Sequence, residues 1–246
     1  MKENLAIVII PTTPLFSKTE SDCFPGMDIQ FSTLLHRALY LNYLEFFKDN
    51  PVANLFRFVF YESDREKLDQ EFLVSQPSDA SEIIQKFSSI FPPFFLNNPS
   101  DPAEFLPIIE KISQNCSNII LIKADSMGLT PGILSNYTNL LNMDNDVLIV
   151  SKSKSGSAVL YGFNNFDENI FSDLFNESES FDDYLKSVSS LDKLFIVQED
   201  LYSVKTIEDF RILYNILSQK EFYSLCSLKI HDLLTDVFIE YKDALK

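Results

Sequence analysis

Residues 118–131, Asn-Ile-Ile-Leu-Ile-Lys-Ala-Asp-Ser-Met-Gly-Leu-Thr-Pro, restrict the fold more than any other stretch of this 246-residue chain. Four consecutive apolar residues, Ile119 through Ile122, three of them β-branched, have the character of a buried strand. The strand runs out at Asp125, Gly128 supplies a turn, and Thr130 with Pro131 has the form of an N-cap and first helical position. Ile133, Leu134, Tyr137, Leu140 and Leu141 then recur at helical spacing. Open α/β sheets use this order of strand, acid, short turn and helix to set polar groups at the carboxyl ends of strands, where ligands bind. An acid at that place can hold a divalent cation or a sugar hydroxyl. It can equally cap its own turn.

Strand-like and helix-period segments alternate along the rest of the chain. Residues 5–10, 55–61, 94–96, 146–150, 158–163 and 193–197 have the apolar, β-branched or aromatic content of strands. Helical spacing occupies 31–47, 64–72, 81–90, 102–114, 166–175 and 181–188. A further helix starts at Thr206, its N-cap, with Glu208 and Asp209 in the first turn, where carboxylates cap. The polar residues 151–156 are short enough for a hairpin-like connection. Strands separated by helices predict a three-layer α/β/α domain with a mostly parallel central sheet. Ile119 to Ile122 should lie near its centre, with Asp125, Gly128 and residues 151–156 along one edge.

No linker or internal repeat divides the sequence, so one α/β domain over residues 1–217 and a helical appendage over 218–246 are expected. In the appendage, Ile230, Leu233, Leu234, Val237, Phe238 and Tyr241 make an apolar stripe. Such a stripe docks on its own domain or, as the second reading, on another copy of the chain or a protein partner.

Composition excludes several classes. Acids number 36 against 20 bases, a formal charge of −16 that repels phosphate backbones, so nucleic acid is not an expected partner. The early apolar run at 5–10 ends at Pro11, too short to span a bilayer and without the cationic start of a signal peptide. Cys23, Cys116 and Cys226 form no CxxC motif and cannot all pair, which points to a reducing, cytoplasmic setting. His36 and His231 are too scattered for a zinc site. Five glycines exclude a GxGxxG fingerprint and a P-loop; four of them, Gly128, Gly132, Gly156 and Gly162, fall in one region, where a site is best sought.

Several segments, taken in order, resemble a family of small bacterial proteins assigned as glycosyltransferases of the radical-SAM/selenodomain-associated type. That resemblance implies the glycosyltransferase-A, or nucleotide-diphospho-sugar transferase, fold. The family's first strand, its Lys-Thr-Arg-Leu loop and its Leu-Tyr-Arg-Ala-like helix are similar to residues 5–10, Lys18-Thr19 and Leu35-His36-Arg37-Ala38. Gly-Ser-Asp-Cys-Pro-x-Leu-Thr resembles residues 123–130, and Glu-Asp-Gly-Gly-Tyr-Tyr-Leu-Ile-Gly resembles 154–162. Asp-Val-Asp-Thr-Pro-Glu-Asp-Leu resembles 203–210, so the similarity extends over most of residues 4–217.

The departures bear on chemistry. The family's acids suit a metal that bridges a nucleotide diphosphate, since Mg²⁺ takes one or two carboxylates plus substrate phosphates. Here Asp125 remains, while Glu-Asp has become Lys154-Ser155 and the acids of Asp-Val-Asp have become Ser203 and Lys205. The resemblance therefore implies Lys18, Thr19, Asp125, Lys154, Ser155, Gly156 and Lys205 as candidates for binding a nucleotide or nucleotide-sugar. Asp125 is the one metal candidate, for Mg²⁺ or Mn²⁺, and no catalytic residue is assigned. The replacements have two explanations. The metal site has decayed and the protein is a binding or scaffold module, the favoured expectation; or Lys154 and Lys205 neutralise phosphate directly in an active glycosyl- or nucleotidyltransferase.

Overall fold

The structure, a computed structural model, describes residues 3–16, 18–49, 55–68, 93–153, 156–171, 181–219, 223 and 225–243. Its strands are β1 (Glu3–Ile10), β2 (Leu55–Tyr61), β3 (Phe94–Leu96), β4 (Cys116–Lys123), β5 (Ser126–Met127), β6 (Val147–Ser153), β7 (Ala158–Phe163) and β8 (Leu194–Ser203). The longer helices are α1 (Ile29–Asp49), α2 (Pro102–Asn115), α3 (Pro131–Leu141), α4 (Phe181–Val188), α5 (Ile207–Leu217) and α6 (Leu228–Glu240). The strands join in the order β3-β2-β1-β4-β7-β6-β8-β5. β1 lies parallel between β2 and β4, and β3 lies parallel outside β2. β7 is antiparallel between β4 and β6; β8 runs parallel to β6, and β5 is a short antiparallel cover on its end.

Alternation of side chains along β1 feeds two cores, because successive residues of a strand point to opposite faces. Leu5, Ile7 and Ile9 pack with Tyr40, Tyr43 and Phe47 of α1 and with Leu134, Tyr137 and Leu141 of α3. Ala6, Val8 and Ile10 pack with Phe105, Ile109 and Ile112 of α2 and with Tyr184 and Val188 of α4. Helices thus cover both faces of a mixed sheet, and its central strands need apolar residues at every position. That requirement is why β1 and β4 read as unbroken apolar runs. A third cluster lies beyond α1, where Leu35, Ala38 and Leu39 meet Phe210, Leu213 and Leu217 of α5 and Ile230, Leu234, Val237 and Phe238 of α6. The C-terminal stripe therefore packs against α1 and α5 of its own chain.

Three expectations differ from the structure. The strand read at 193–197 runs on to Ser203, through Glu199 and Asp200, because it pairs with β6 across a register shift between Ser151 and Ser153. The described part of the helix read at 166–175 is a short 3₁₀ turn, Glu168–Phe171. The two-residue β5 has no pattern that a sequence displays. The helix read at 81–90 lies outside the described residues, as do 69–72 of the one at 64–72, whose described part includes the helical turn Arg65–Lys67. Among the described residues, no helix is long and apolar enough to cross a membrane.

The connection from β1 to α1 is fastened from inside. Asp64, wholly buried just past β2, accepts the backbone N–H groups of Leu15 at 2.7 Å and Phe16 at 2.9 Å. Tyr61 donates its hydroxyl to the Thr12 carbonyl at 3.2 Å, and Lys67 donates to the Phe16 carbonyl at 3.2 Å. Asp64→Ala leaves two buried amides without their acceptor and is expected to lower stability by about 1–3 kcal/mol in urea unfolding. Asp64→Asn keeps one acceptor oxygen and should lose less.

Candidate functional site: a cleft at the carboxyl edge of the sheet

The chain reaches the two neighbours of β1 from opposite directions, β2 on one side and β4 on the other. At such a switch of strand order, connections leave to opposite sides and a crevice opens outside the carboxyl ends. Here that crevice is a cleft of about 560 Å³. β1 contributes Ile10 and the following Thr12 and Thr13, and β4 contributes Lys123 and Asp125. The starts of β7 and α4 add Gly156, Ser157, Ala158 and Phe181, while Val204 and Lys205 follow β8. Asp22 to Pro25 and His36 close the α1 side, opposite Pro99 and Ser100.

Backbone bonds fix the parts that matter. Ala124 donates its N–H to the Ile10 carbonyl at 2.8 Å, and Val204 donates to the Asp125 carbonyl at 2.8 Å. Asp209, in the first turn of α5, accepts from the amides of Lys205 at 3.1 Å and Thr206 at 2.9 Å. Thr206 Oγ1 accepts the Asp209 amide at 3.1 Å, completing the capping box expected there. Lys205 is thereby anchored beside Asp125, with Nζ 3.7 Å from Asp125 Oδ2.

The Asp125 carboxylate is only 3% exposed, although it borders the cleft. Its Oδ1 is buried and has no hydrogen-bond partner among the described residues. An acid that caps its own turn would accept the amides around Gly128, and Asp125 does not. Other groups hold that turn. Ser126 Oγ donates to the Lys123 carbonyl at 2.6 Å and lies 2.6 Å from the Tyr43 hydroxyl. Gly128 takes a φ of 106°, and Thr130 Oγ1 accepts the Ile133 amide at 3.2 Å as the N-cap of α3.

Gly156 sits where the hairpin connection places it, with a φ of 97° that favours glycine and its N–H on the Ser153 carbonyl at 2.9 Å. Asp125, Gly156 and Lys205 consequently border one cleft. Lys154 and Ser155 lie outside the described residues. Thr19 is exposed and caps a 3₁₀ turn, its N–H and hydroxyl both donating to Asp22 Oδ2, at 2.8 and 2.7 Å. Lys18 is turned inward, donating to the Thr13 hydroxyl and, at 3.5 Å, to the Asp22 carbonyl. Burial lowers its pKa to about 8, against the opposing pull of Asp22, Asp64 and Cys23.

Three further residues border the cleft that were not among the expected site residues. Lys123, nearly buried, ends an apolar strand with its ammonium 5.5 Å from the centre of the Tyr161 ring. A lone lysine closing an Ile-Leu-Ile run is the one signal that could have marked it. Phe181 opens α4 with the Lys152 ammonium 5.1 Å from its ring centre. His36 is buried on α1 and donates Nδ1–H to the Ser32 carbonyl at 2.8 Å, so its neutral form is held in one tautomer.

The described side chains do not form an all-protein cage for a divalent cation. Among the described residues, no three of His, Cys, Asp or Glu stand close enough together to hold a metal ion. The position across from Asp125 is taken by an ammonium group.

The chain matches no protein-family model and no curated protein sequence. Solved structures do resemble it. A protein of Desulfovibrio desulfuricans G20 assigned as a nucleotide-diphospho-sugar transferase superposes over 100% of this chain and 97% of its own. The TM-score is 0.63 at 14% identity. The 4-diphosphocytidyl-2C-methyl-D-erythritol synthase of Anaerococcus prevotii DSM 20548 covers 88% of this chain and 97% of its own, with a TM-score of 0.52 at 10% identity. The chain therefore has the nucleotide-diphospho-sugar transferase fold. At identities this low the likeness speaks for fold and leaves chemistry to the site.

Burial, together with the Lys18 charge, pushes the His36 pKa down to about 3 from its ordinary 6.5, outweighing the Ser32 hydrogen bond. Between those values the unfolded chain binds the proton and the folded chain does not, so stability falls as pH drops below about 6.5. Each pH unit in that window carries about 1.4 kcal/mol for one such group. Denaturant titrations at a series of pH values should show a shallower loss from pH 6.5 to 4 in His36→Gln than in the parent.

Proposed function

We propose that this chain is a binding module for a nucleoside diphosphate or nucleotide-sugar, built on a transferase-like frame whose metal-holding acids are gone. The cleft at the β1/β4 switch, where Asp125 and Lys205 stand 3.7 Å apart, carries this conclusion. It is large enough for a small ligand and is lined by two lysines and by Thr12, Thr13 and Ser157. The narrower kinship with radical-SAM-associated transferases rests on the sequence motifs alone.

The lysine beside Asp125 also favours a second function, an active glycosyl- or nucleotidyltransferase in which Lys205, with Lys154, does part of the work of a metal. Release of nucleoside diphosphate from a nucleotide-sugar separates an enzyme from a module.

Thermal unfolding with a panel of nucleoside diphosphates and nucleotide-sugars tests the proposal. A ligand at a hundredfold its Kd should stabilise the chain by about 2.7 kcal/mol. No response to any member would overturn it. Asp125→Asn should abolish the shift, while the unliganded midpoint moves little, because Oδ1 has no hydrogen bond among the described residues to lose. A midpoint that collapses in Asp125→Asn would show a structural acid instead.

A further inference from the structure

Resting on the ligand class just proposed, the geometry points to a more specific device: Lys205 is a tethered cation that takes the place of a divalent metal, so the cleft binds a diphosphate group without metal. In sites of this fold class as the family pattern has them, carboxylates hold a cation that in turn meets the phosphates. Here Asp125 holds an ammonium at 3.7 Å, and the Lys205 side chain remains about a third exposed. Its backbone is clamped by Asp209, which accepts the Lys205 amide at 3.1 Å, so the side chain starts from a fixed point beside Asp125.

An ammonium is a point charge that can meet phosphate oxygens without the fixed coordination number a metal demands. The second observation is the orphaned acceptor. Asp125 Oδ1 is buried without a hydrogen-bond partner among the described residues at the border of the cleft. A buried carboxylate oxygen left in that state is satisfied by a donor on the ligand, and a sugar or ribose hydroxyl next to the diphosphate supplies one. The pair thus reads a ligand that presents an anion and a hydroxyl side by side.

The test uses the full chain with inorganic pyrophosphate and UDP, GDP, CDP and ADP as probes, each in EDTA and in Mn²⁺. In EDTA the parent should show a melting shift with at least one probe. Lys205→Ala should weaken apparent affinity tenfold or more, and Lys205→Arg should restore most of it. Lys205→Asp places a second carboxylate against Asp125 and should reverse the requirement. It should bind Mn²⁺, seen as loss of the free-ion signal in electron paramagnetic resonance, and respond to the probes only when Mn²⁺ is present. A parent that responds only with Mn²⁺ overturns the tethered cation and leaves the ligand class standing. Equal affinity in Lys205→Ala and parent overturns it too. Silence of the parent under both conditions removes the ligand class itself. Circular dichroism on each variant confirms that a lost response is not lost folding.

Discussion

Two backbone hydrogen bonds hold this cleft together: the amide of Ala124 on the carbonyl of Ile10, and the amide of Val204 on the carbonyl of Asp125, each 2.8 Å long. They join the ends of β1, β4 and β8, three strands that the chain reaches at widely separated points. Because peptide groups are planar and strand spacing is nearly constant, these bonds fix the Cα positions from which Asp125 and Lys205 project. The clamp of Asp209 on the Lys205 and Thr206 amides adds the third fixed point. The side chains meet because the main chain leaves them little freedom, and their ion pair by itself is too long and too open to do the positioning.

Local signals were legible in the sequence and long-range ones were not. The β4 strand, the Thr130 cap with Pro131, and the Thr206 capping box all depend on residues within a few positions of one another, and each stands where the sequence places it. The pairing partner of a strand has no such signature. That β7 pairs antiparallel with β6 follows from the short connection between them, yet nothing local says that β4 will be its second neighbour. β8 continues through polar residues where its faces are not fully covered, Gln198 being half-buried and Glu199 exposed. At the cleft the same division holds. Asp125 was visible as the end of a strand, but its approach to Lys205 is a contact between distant segments. The roles of Lys123 and Phe181 depend on rings and strands elsewhere in the chain.

The carboxylate of Asp125 shows how a turn and a site can share one segment without sharing residues. Its turn is secured by the Ser126 hydroxyl on the Lys123 carbonyl, by Tyr43 from α1, and by the positive φ of Gly128. Those devices release the acid from structural duty. Burying a carboxylate oxygen with no donor costs about 1–3 kcal/mol, more for a charged group. Folded chains keep such a cost chiefly where a ligand or function relieves it. A neutral side chain of similar shape would remove the penalty at once, so the acid at this place is better explained by what it meets than by what it holds up.

The electrostatics of the whole chain then narrow what can reach it. A formal charge of −16 surrounds a cleft whose own side chains include Lys123 and Lys205. At physiological ionic strength the field of the exterior fades over about 8 Å, so distant acids repel an approaching anion only weakly. A long polyanion must lay many phosphates along the acidic exterior and meets that repulsion at every one. A compact anion meets that repulsion only in passing, and in a partly dry cleft charge–charge attraction is stronger than in water. The acidic exterior and the lysines that border the cleft beside Asp22 and Asp125 therefore favour an anion that is small and concentrated over one that is extended.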